Sequence, residues 1–232
     1  MEFGVITCNL FDRMTIPTMK KNSIALLRRE YRNRGLLETG APQNPYLLFE
    51  KWFQEALKVK ALDANAMSLA TVSPSGKPSL RTVLLKGYDS KGFVFYTNYQ
   101  SQKGRELGKR PVASLLFFWP QLSRQIRIDG PVKKVAAGES DEYFQTRPRG
   151  SQLGAWVSHQ SRVIGNRELL EERMRELEKK YEGQSIPRPL HWGGYRVTPE
   201  SIEFWKGRPN RLHDRLVYRR KSGGWKRERL AP

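Results

Sequence analysis

Ala66-Met67-Ser68-Leu69-Ala70-Thr71-Val72-Ser73-Pro74-Ser75-Gly76-Lys77-Pro78-Ser79-Leu80-Arg81-Thr82-Val83-Leu84-Leu85-Lys86 is the stretch on which the fold turns. Residues 66–72 and 80–88 carry aliphatic and β-branched side chains, and Ser73 to Lys77 between them are turn formers. Two such runs across a short loop predict an antiparallel hairpin. Asp89-Ser90-Lys91-Gly92 leads into a further strand over 93–97. Strands are predicted again at 112–119 and 124–135, then at 194–197, 201–205, 211–219 and 224–230, the last two joined at Ser222-Gly223-Gly224.

Helices are inserted between these strands. Asn44 followed by Pro45 is a helix start, with an N-cap oxygen and then a residue that has no N–H to leave unpaired. Leu48, Phe49, Trp52, Phe53, Ala56 and Leu57 follow at helical spacing and read as a core-facing stripe. Shorter helices are expected at 103–107 behind a Ser101 cap, at 141–146 before Pro148, and at 151–157. Asn166 caps a helix over 167–181 that Gly183 closes. Strands dominate, which predicts a single α+β domain over residues 23–232 on a closed or half-closed antiparallel barrel. Residues 1–22 read as a flexible amino-terminal extension.

Composition narrows the function classes. Lys and Arg number 42 against 23 Asp and Glu, a formal charge of +19 over 232 residues, which predicts anionic partners. The excess is dense from Lys206 to Pro232, where only Asp214 and Glu228 oppose it. Charge alone leaves nucleic acid, phosphorylated small molecules and plain solubility open. Cys8 is the one cysteine, so there is no intrachain disulfide and no thiolate metal site. His159, His191 and His213 are scattered, and no metal is expected. No apolar run reaches membrane-spanning length and no secretory leader is evident, so a reduced, cytoplasmic compartment is the expectation.

Phosphate motifs of the common kinds are missing. Gly76-Lys77 ends like a P-loop, but Thr71 stands where its first glycine belongs, and there is no G-x-G-x-x-G. Side chains and helix ends are left to hold an anion. One candidate is Arg81 to Lys86, where strand parity sends the two cations to opposite faces. A second is Tyr96-Thr97 with Ser101-Gln102-Lys103, hydroxyls and a lysine at a helix start. A third is Tyr143, Arg147 and Ser151, a phenol, a guanidinium and a hydroxyl about a helical turn apart. Finally, Arg211-Leu212-His213-Asp214-Arg215, read as a strand, places Arg211, His213 and Arg215 on one face and Asp214 behind as an anchor.

Arg81–Lys86, Tyr96-Thr97-Asn98, Arg147-Pro148 with Ser151-Gln152, Gln160-Ser161, Glu203-Phe204-Trp205, Arg211–Arg215 and the ending Glu228-Arg229-Leu230-Ala231-Pro232 occur in one order. Together they resemble the pyridoxine (pyridoxamine) 5′-phosphate oxidase family from about Arg28 to Pro232. That resemblance implies a split β-barrel of the FMN-binding type with peripheral helices, and a homodimer with FMN at the subunit interface. It implies oxidation of pyridoxine 5′-phosphate and pyridoxamine 5′-phosphate to pyridoxal 5′-phosphate, with O2 reduced to H2O2, and no nucleic acid. FMN would contact Arg81, Thr82, Val83, Leu84, Leu85, Lys86, Tyr96, Thr97, Gln102, Lys103, Gln125, Gln160, Ser161, Trp205 and Arg215. The substrate would contact Lys86, Tyr143, Arg147, Ser151, Arg211, Leu212 and His213, with Arg211 and His213 catalytic. The arm Arg28, Arg29, Glu30 and Tyr31 matches a segment that closes over the substrate. One departure stands out: the family usually carries Ser-Arg-Lys where this chain has Ser101-Gln102-Lys103, and Gln102 cannot supply a charged fork.

Overall fold

The computed structural model describes residues 26, 27, 30, 31 and 35–232. The predicted extension over 1–22 and the arm residues Arg28 and Arg29 lie outside the described residues. Within the unit Met1–Glu30, the described Leu26, Leu27 and Glu30 are exposed. The unit Tyr31–Pro232 holds the sheet and its helices.

Ten strands form one antiparallel sheet: β1 Ala66–Val72, β2 Pro78–Leu84, β3 Gly87–Asp89, β4 Gly92–Asn98, β5 Val112–Trp119, β6 Arg124–Lys134, β7 Trp192–Val197, β8 Ser201–Lys206, β9 Asp214–Lys221 and β10 Gly224–Leu230. The main path runs β10-β9-β8-β6-β5-β1-β2. The long strand β6 is the hinge of the curl. Its Arg124–Asp129 half pairs with β8, and Val132–Lys134 pairs with β7, which carries β4 and β3. Gly130 sits at the changeover, where an added Cβ would come within 2.0 Å of the Thr198 carbonyl oxygen, so only glycine lets the two backbones approach.

Among the described residues five α-helices lie outside the sheet: α1 Pro45–Lys58, α2 Gln102–Lys109, α3 Ala137–Gln145, α4 Arg149–Val157 and α5 Glu168–Lys180. The Asn44 side chain accepts from the Tyr46 N–H at 3.0 Å and so caps α1 as expected. The α1 stripe Leu48, Phe49, Trp52 and Ala56 is buried, with Phe49 centred 4.9 Å from Phe93 and 5.3 Å from Phe117. Each such ring contributes on the order of 2 kcal/mol by leaving water. A smaller cluster of Phe144, Leu153, Ile186 and Trp192 ties α3 and α4 to β7, with Met174 and Leu177 of α5 against it.

Two strand expectations need correction. The run 80–88 is not one strand: Leu85 still donates to the Asn65 carbonyl just before β1, but the Lys86 N–H turns to the Val94 carbonyl of β4, and a separate short strand starts at Gly87. The run 211–219 does not start at Arg211. Pro209–Arg211 is a 3-10 turn, Asn210 and Arg211 take φ of 56° and 61°, and β9 begins at Asp214. Pro209 has no N–H for a ladder, and the left-handed pair behind it cannot continue an extended strand. The shared strand face for Arg211, His213 and Arg215 is therefore withdrawn. Asp214 does anchor, accepting the Leu36 N–H at 2.9 Å and Arg229 Nη1 at 2.7 Å.

Registers across the sheet put two regions on one outer face. Trp205 stands opposite Gln125 and Arg215, and Gln125 opposite Phe118. Further along the same face come Leu80, Thr82 and Leu84 of β2, through their partners Ala70, Ser68 and Ala66. Leu80, Leu84 and Phe118 are large apolar residues exposed at 69%, 41% and 54%.

Candidate active site

A cavity of about 800 Å3 opens at the β2 edge, lined by Thr82, Val83, Leu84 and Lys86 from β2 and its continuation, Tyr96, Thr97 and Asn98 from β4, Lys103 from α2, Tyr143, Arg147 and Ser151 from α3, α4 and their connection, and Gln160 and Trp192. The volume suits a ligand of cofactor size. Three of the four stretches singled out from sequence therefore converge here.

One end of the cavity is cationic and polar. Lys103 is nearly buried, with its Nζ 3.2 Å from Thr97 Oγ1 and 3.4 Å from Gln160 Oε1. Burial lowers its pKa, the neighbouring Arg81 charge adds to that, and Glu106 opposes it. Ser101 caps α2 by accepting the Gly104 N–H at 3.2 Å. Gly104 allows the helix to sit against the Tyr99 carbonyl, which a Cβ would meet at 2.2 Å. A buried ammonium beside a helix start and the Thr97 hydroxyl is chemistry for a phosphate monoester.

The other end is aromatic. Tyr96 and Tyr143 stack with centroids 3.9 Å apart, and Trp192 lies parallel to Tyr96 at 5.4 Å. Arg147 sits with its guanidinium carbon 4.5 Å from the Trp192 centroid, and its Nη1 is buried without a hydrogen-bond partner. Burial also lowers the Arg147 pKa. A desolvated guanidinium with an unused donor, on a residue that lines the cavity, suits an anion. The Tyr96 phenol is pushed up to about 12, mainly by burial, and so remains a neutral donor.

Several expected residues lie elsewhere. Arg81 does not line the cavity. It turns beneath β2 to Thr71, the Leu69 carbonyl and, through Nη2, Ser79 Oγ at 2.6 Å, and pairs with Glu106 at 3.4 Å. Arg81 and Lys86 do serve different groups, but strand parity is not the reason, since β2 ends at Leu84. Gln102 also bonds Glu106, with Nε2 to Oε1 at 2.9 Å. Burial alone would raise the Glu106 pKa, but bonds from Ser79, Thr71 and Gln102 and the Arg81 charge hold it at about 2. Leu85 is buried in the groove behind Lys86. Ser161 is exposed, with φ of 69°.

Gln125, Trp205, His213 and Arg215 form a second cluster toward the β9 side of the outer face. Trp205 and His213 are 4.7 Å apart, and Tyr31 meets both edge-on at 5.7 and 5.6 Å. His213 Nδ1 accepts the Arg208 N–H at 3.1 Å, so the neutral ring carries its proton on Nε2. Burial and then the Arg211 charge lower its pKa. Arg211 and Leu212 are exposed. None of Gln125, Trp205, His213 and Arg215 lines the cavity in this chain.

Asn98, Thr146, Ser158 and Trp192 line the cavity and were missed from sequence. Trp192-Gly193-Gly194 carried a signal for the last: a Cβ at Gly194 would meet the Tyr96 ring at 2.8 Å, so the glycines leave room for the aromatic stack.

Comparison with known proteins identifies relatives of this chain. Residues 53–181 match the family model described as pyridoxamine 5′-phosphate oxidase, and residues 192–232 match that of the pyridoxine 5′-phosphate oxidase C-terminal dimerisation region. Pyridoxine/pyridoxamine 5′-phosphate oxidases from Acaryochloris marina and Gloeothece citriformis are 55% and 57% identical, covering 94% and 90% of this chain and 100% and 99% of theirs. Among solved structures, PhzG from Burkholderia lata, in complex with tetrahydrophenazine-1-carboxylic acid, superposes with a TM-score of 0.80 at 33% identity, over 85% of this chain and 98% of its own. A pyridoxamine 5′-phosphate oxidase-related, FMN-binding protein from Nostoc punctiforme shares the fold, with a TM-score of 0.63 at 19% identity over 83% of this chain and 98% of its own. With both models matched in order and near full-length identity above one half, the chain belongs to the pyridoxamine 5′-phosphate oxidase family.

Proposed function

We propose that this protein is an FMN-dependent oxidase, active as a homodimer, that converts pyridoxine 5′-phosphate and pyridoxamine 5′-phosphate to pyridoxal 5′-phosphate, with O2 as electron acceptor and H2O2 as product. The catalytic domain spans residues 23–232 and works in the cytoplasm; among the described residues no helix is long and apolar enough to cross a membrane. The observation that carries the reading is the pair of cationic subsites in one cavity, Lys103 with Thr97 and Gln160 at one end and Arg147 with its unused Nη1 at the other. Cofactor and substrate each bear a phosphate, and each needs its own cation.

The residues present fit FMN: the buried Lys103 and the α2 start suit its phosphate, and the cavity has the volume. Thr82, Val83, Leu84 and Lys86 run along the same wall for the rest of the cofactor. When bound, FMN supplies the two-electron chemistry and the route to O2. Arg147, Tyr143 and Ser151 take the substrate phosphate. Tyr96 and Trp192 give the cavity an aromatic wall.

The second half of the site comes from a partner subunit. Leu80, Leu84 and Phe118 leave an apolar face that a second copy would cover, and covering it would carry that copy's Gln125, Trp205 and Arg215 over the cavity. His213, with its proton on Nε2, donates to the substrate ring, while the Arg211 guanidinium clamps it. Tyr31, which packs on His213, contributes to holding the substrate.

A purified protein with a flavin spectrum that makes peroxide from pyridoxine 5′-phosphate supports the reading. A colourless protein, or a yellow one inert to both substrates, overturns it.

A further inference from the structure

Glu203 is a carboxylate where the sheet has no need of one. It sits mid-strand in β8 on the outer face, with its side chain 5% exposed. A buried carboxylate gives up several kcal/mol of hydration, and an apolar residue of the same size often serves stability better. Its bonds indicate what it does. Oε1 accepts from Arg215 Nε at 2.7 Å, while Oε2 faces Arg127 Nη2 at 3.1 Å as an ion pair without the alignment of a hydrogen bond. Arg127 is held in turn by Asp129, and Asp129 by Ser114. A charge ladder thus crosses from β5 to β9.

At its far end Arg215 is gripped twice. Besides Glu203, its Nη1 donates to the Ala231 carbonyl at 2.9 Å, from the chain's last residues. Among the described residues, Nη2 is the one nitrogen of the fork without a protein acceptor. Glu203 also raises the Arg215 pKa. Two fixed bonds in the guanidinium plane leave no freedom for the third nitrogen.

We propose that Glu203 is a positioning residue for the cofactor. It locks Arg215, with the Ala231 carbonyl as second jaw, so that Nη2 is presented to the electron-rich edge of the flavin. The proposal rests on the reading of Arg215 as an FMN contact.

The test is a double-substitution cycle read by FMN release from diluted holoenzyme, followed by flavin fluorescence, in Glu203→Gln, Arg215→Ala and the double variant. Each single change is expected to weaken FMN retention about tenfold, the scale of one charge-assisted hydrogen bond, and the double variant is expected to match Arg215→Ala. A merely structural Glu203 would multiply the two losses. Multiplied losses, or Glu203→Gln holding FMN like the parent, overturn the proposal while leaving Arg215 as a contact. An Arg215→Ala variant that holds FMN normally overturns the assignment of Arg215 and the proposal with it. Should Glu203→Gln fail to fold, deletion of Ala231 and Pro232 removes the second jaw. That deletion must likewise be silent in the Arg215→Ala background, and an additive loss overturns the proposal.

Discussion

The β2-edge cavity and the Trp205 cluster carry similar residue types and treat them in opposite ways. In the cavity, cations are desolvated and left short of partners: Lys103 is buried beside neutral oxygens, and Arg147 keeps an idle Nη1. In the cluster, polar groups are already spoken for, with His213 held by Arg208 and Arg215 by Glu203 and Ala231. The first is a hole that takes its missing bonds from ligands. The second is a preformed wall, rigid but open to the outer face, and it gains a function when another surface meets it.

That contrast is broken most sharply by mixing defects. Arg147→Ala and Arg211→Ala are each expected to fall to roughly 1% of parent activity or below, the scale of losing one charged contact. If cavity and cluster meet across a dimer, coexpressing the two restores about a quarter of parent activity, because half the dimers are hybrids and each hybrid has one intact site. No recovery places both halves in one chain.

Charging the apolar face is the next test. Leu80→Asp with Phe118→Asp should convert the dimer to monomer on a sizing column and strip FMN from it, as buried like charges oppose docking. A yellow, active monomer would falsify the two-chain site. Lys103→Met isolates the cavity's cationic end, and FMN retention should drop about 30-fold while the melting transition changes little. Equal retention would move the cofactor phosphate elsewhere.

The smallest effect is a pH response of the wall. The His213 pKa lies below its usual 6.5 through burial and the Arg211 charge. The unfolded chain therefore binds the proton first, and stability from this group is present above pH 6.5 and lost as pH falls through the folded value. Activity should follow, because protonating Nδ1 breaks the bond from Arg208. Arg211→Gln should move the acid limb of kcat/KM upward, and an unmoved limb assigns it to another group.

Much of the scaffold was legible from local signals. The Asn44-Pro45 start and the turn at Ser73–Lys77 depend on neighbours in sequence and appear as read, while the α1 stripe holds for Leu48, Phe49, Trp52 and Ala56 but leaves Phe53 half-buried and Leu57 exposed. The strand at Arg211 was misread because alternation alone cannot register a left-handed pair behind Pro209. Arg81 illustrates a second limit. Its charge was visible, but Glu106, a full hairpin and helix away, decided that it would face inward.

The sequence by itself determined the elements, the family and the set of chemically competent side chains, since periodicity, caps and ordered motifs are written locally. Only the tertiary structure decided which of those side chains stay unpaired. Burial and pairing are long-range properties: β6 changes partners at Gly130, the sheet curls, and Lys103 and Arg147 are left lining one cavity while Arg215 is tied down outside it.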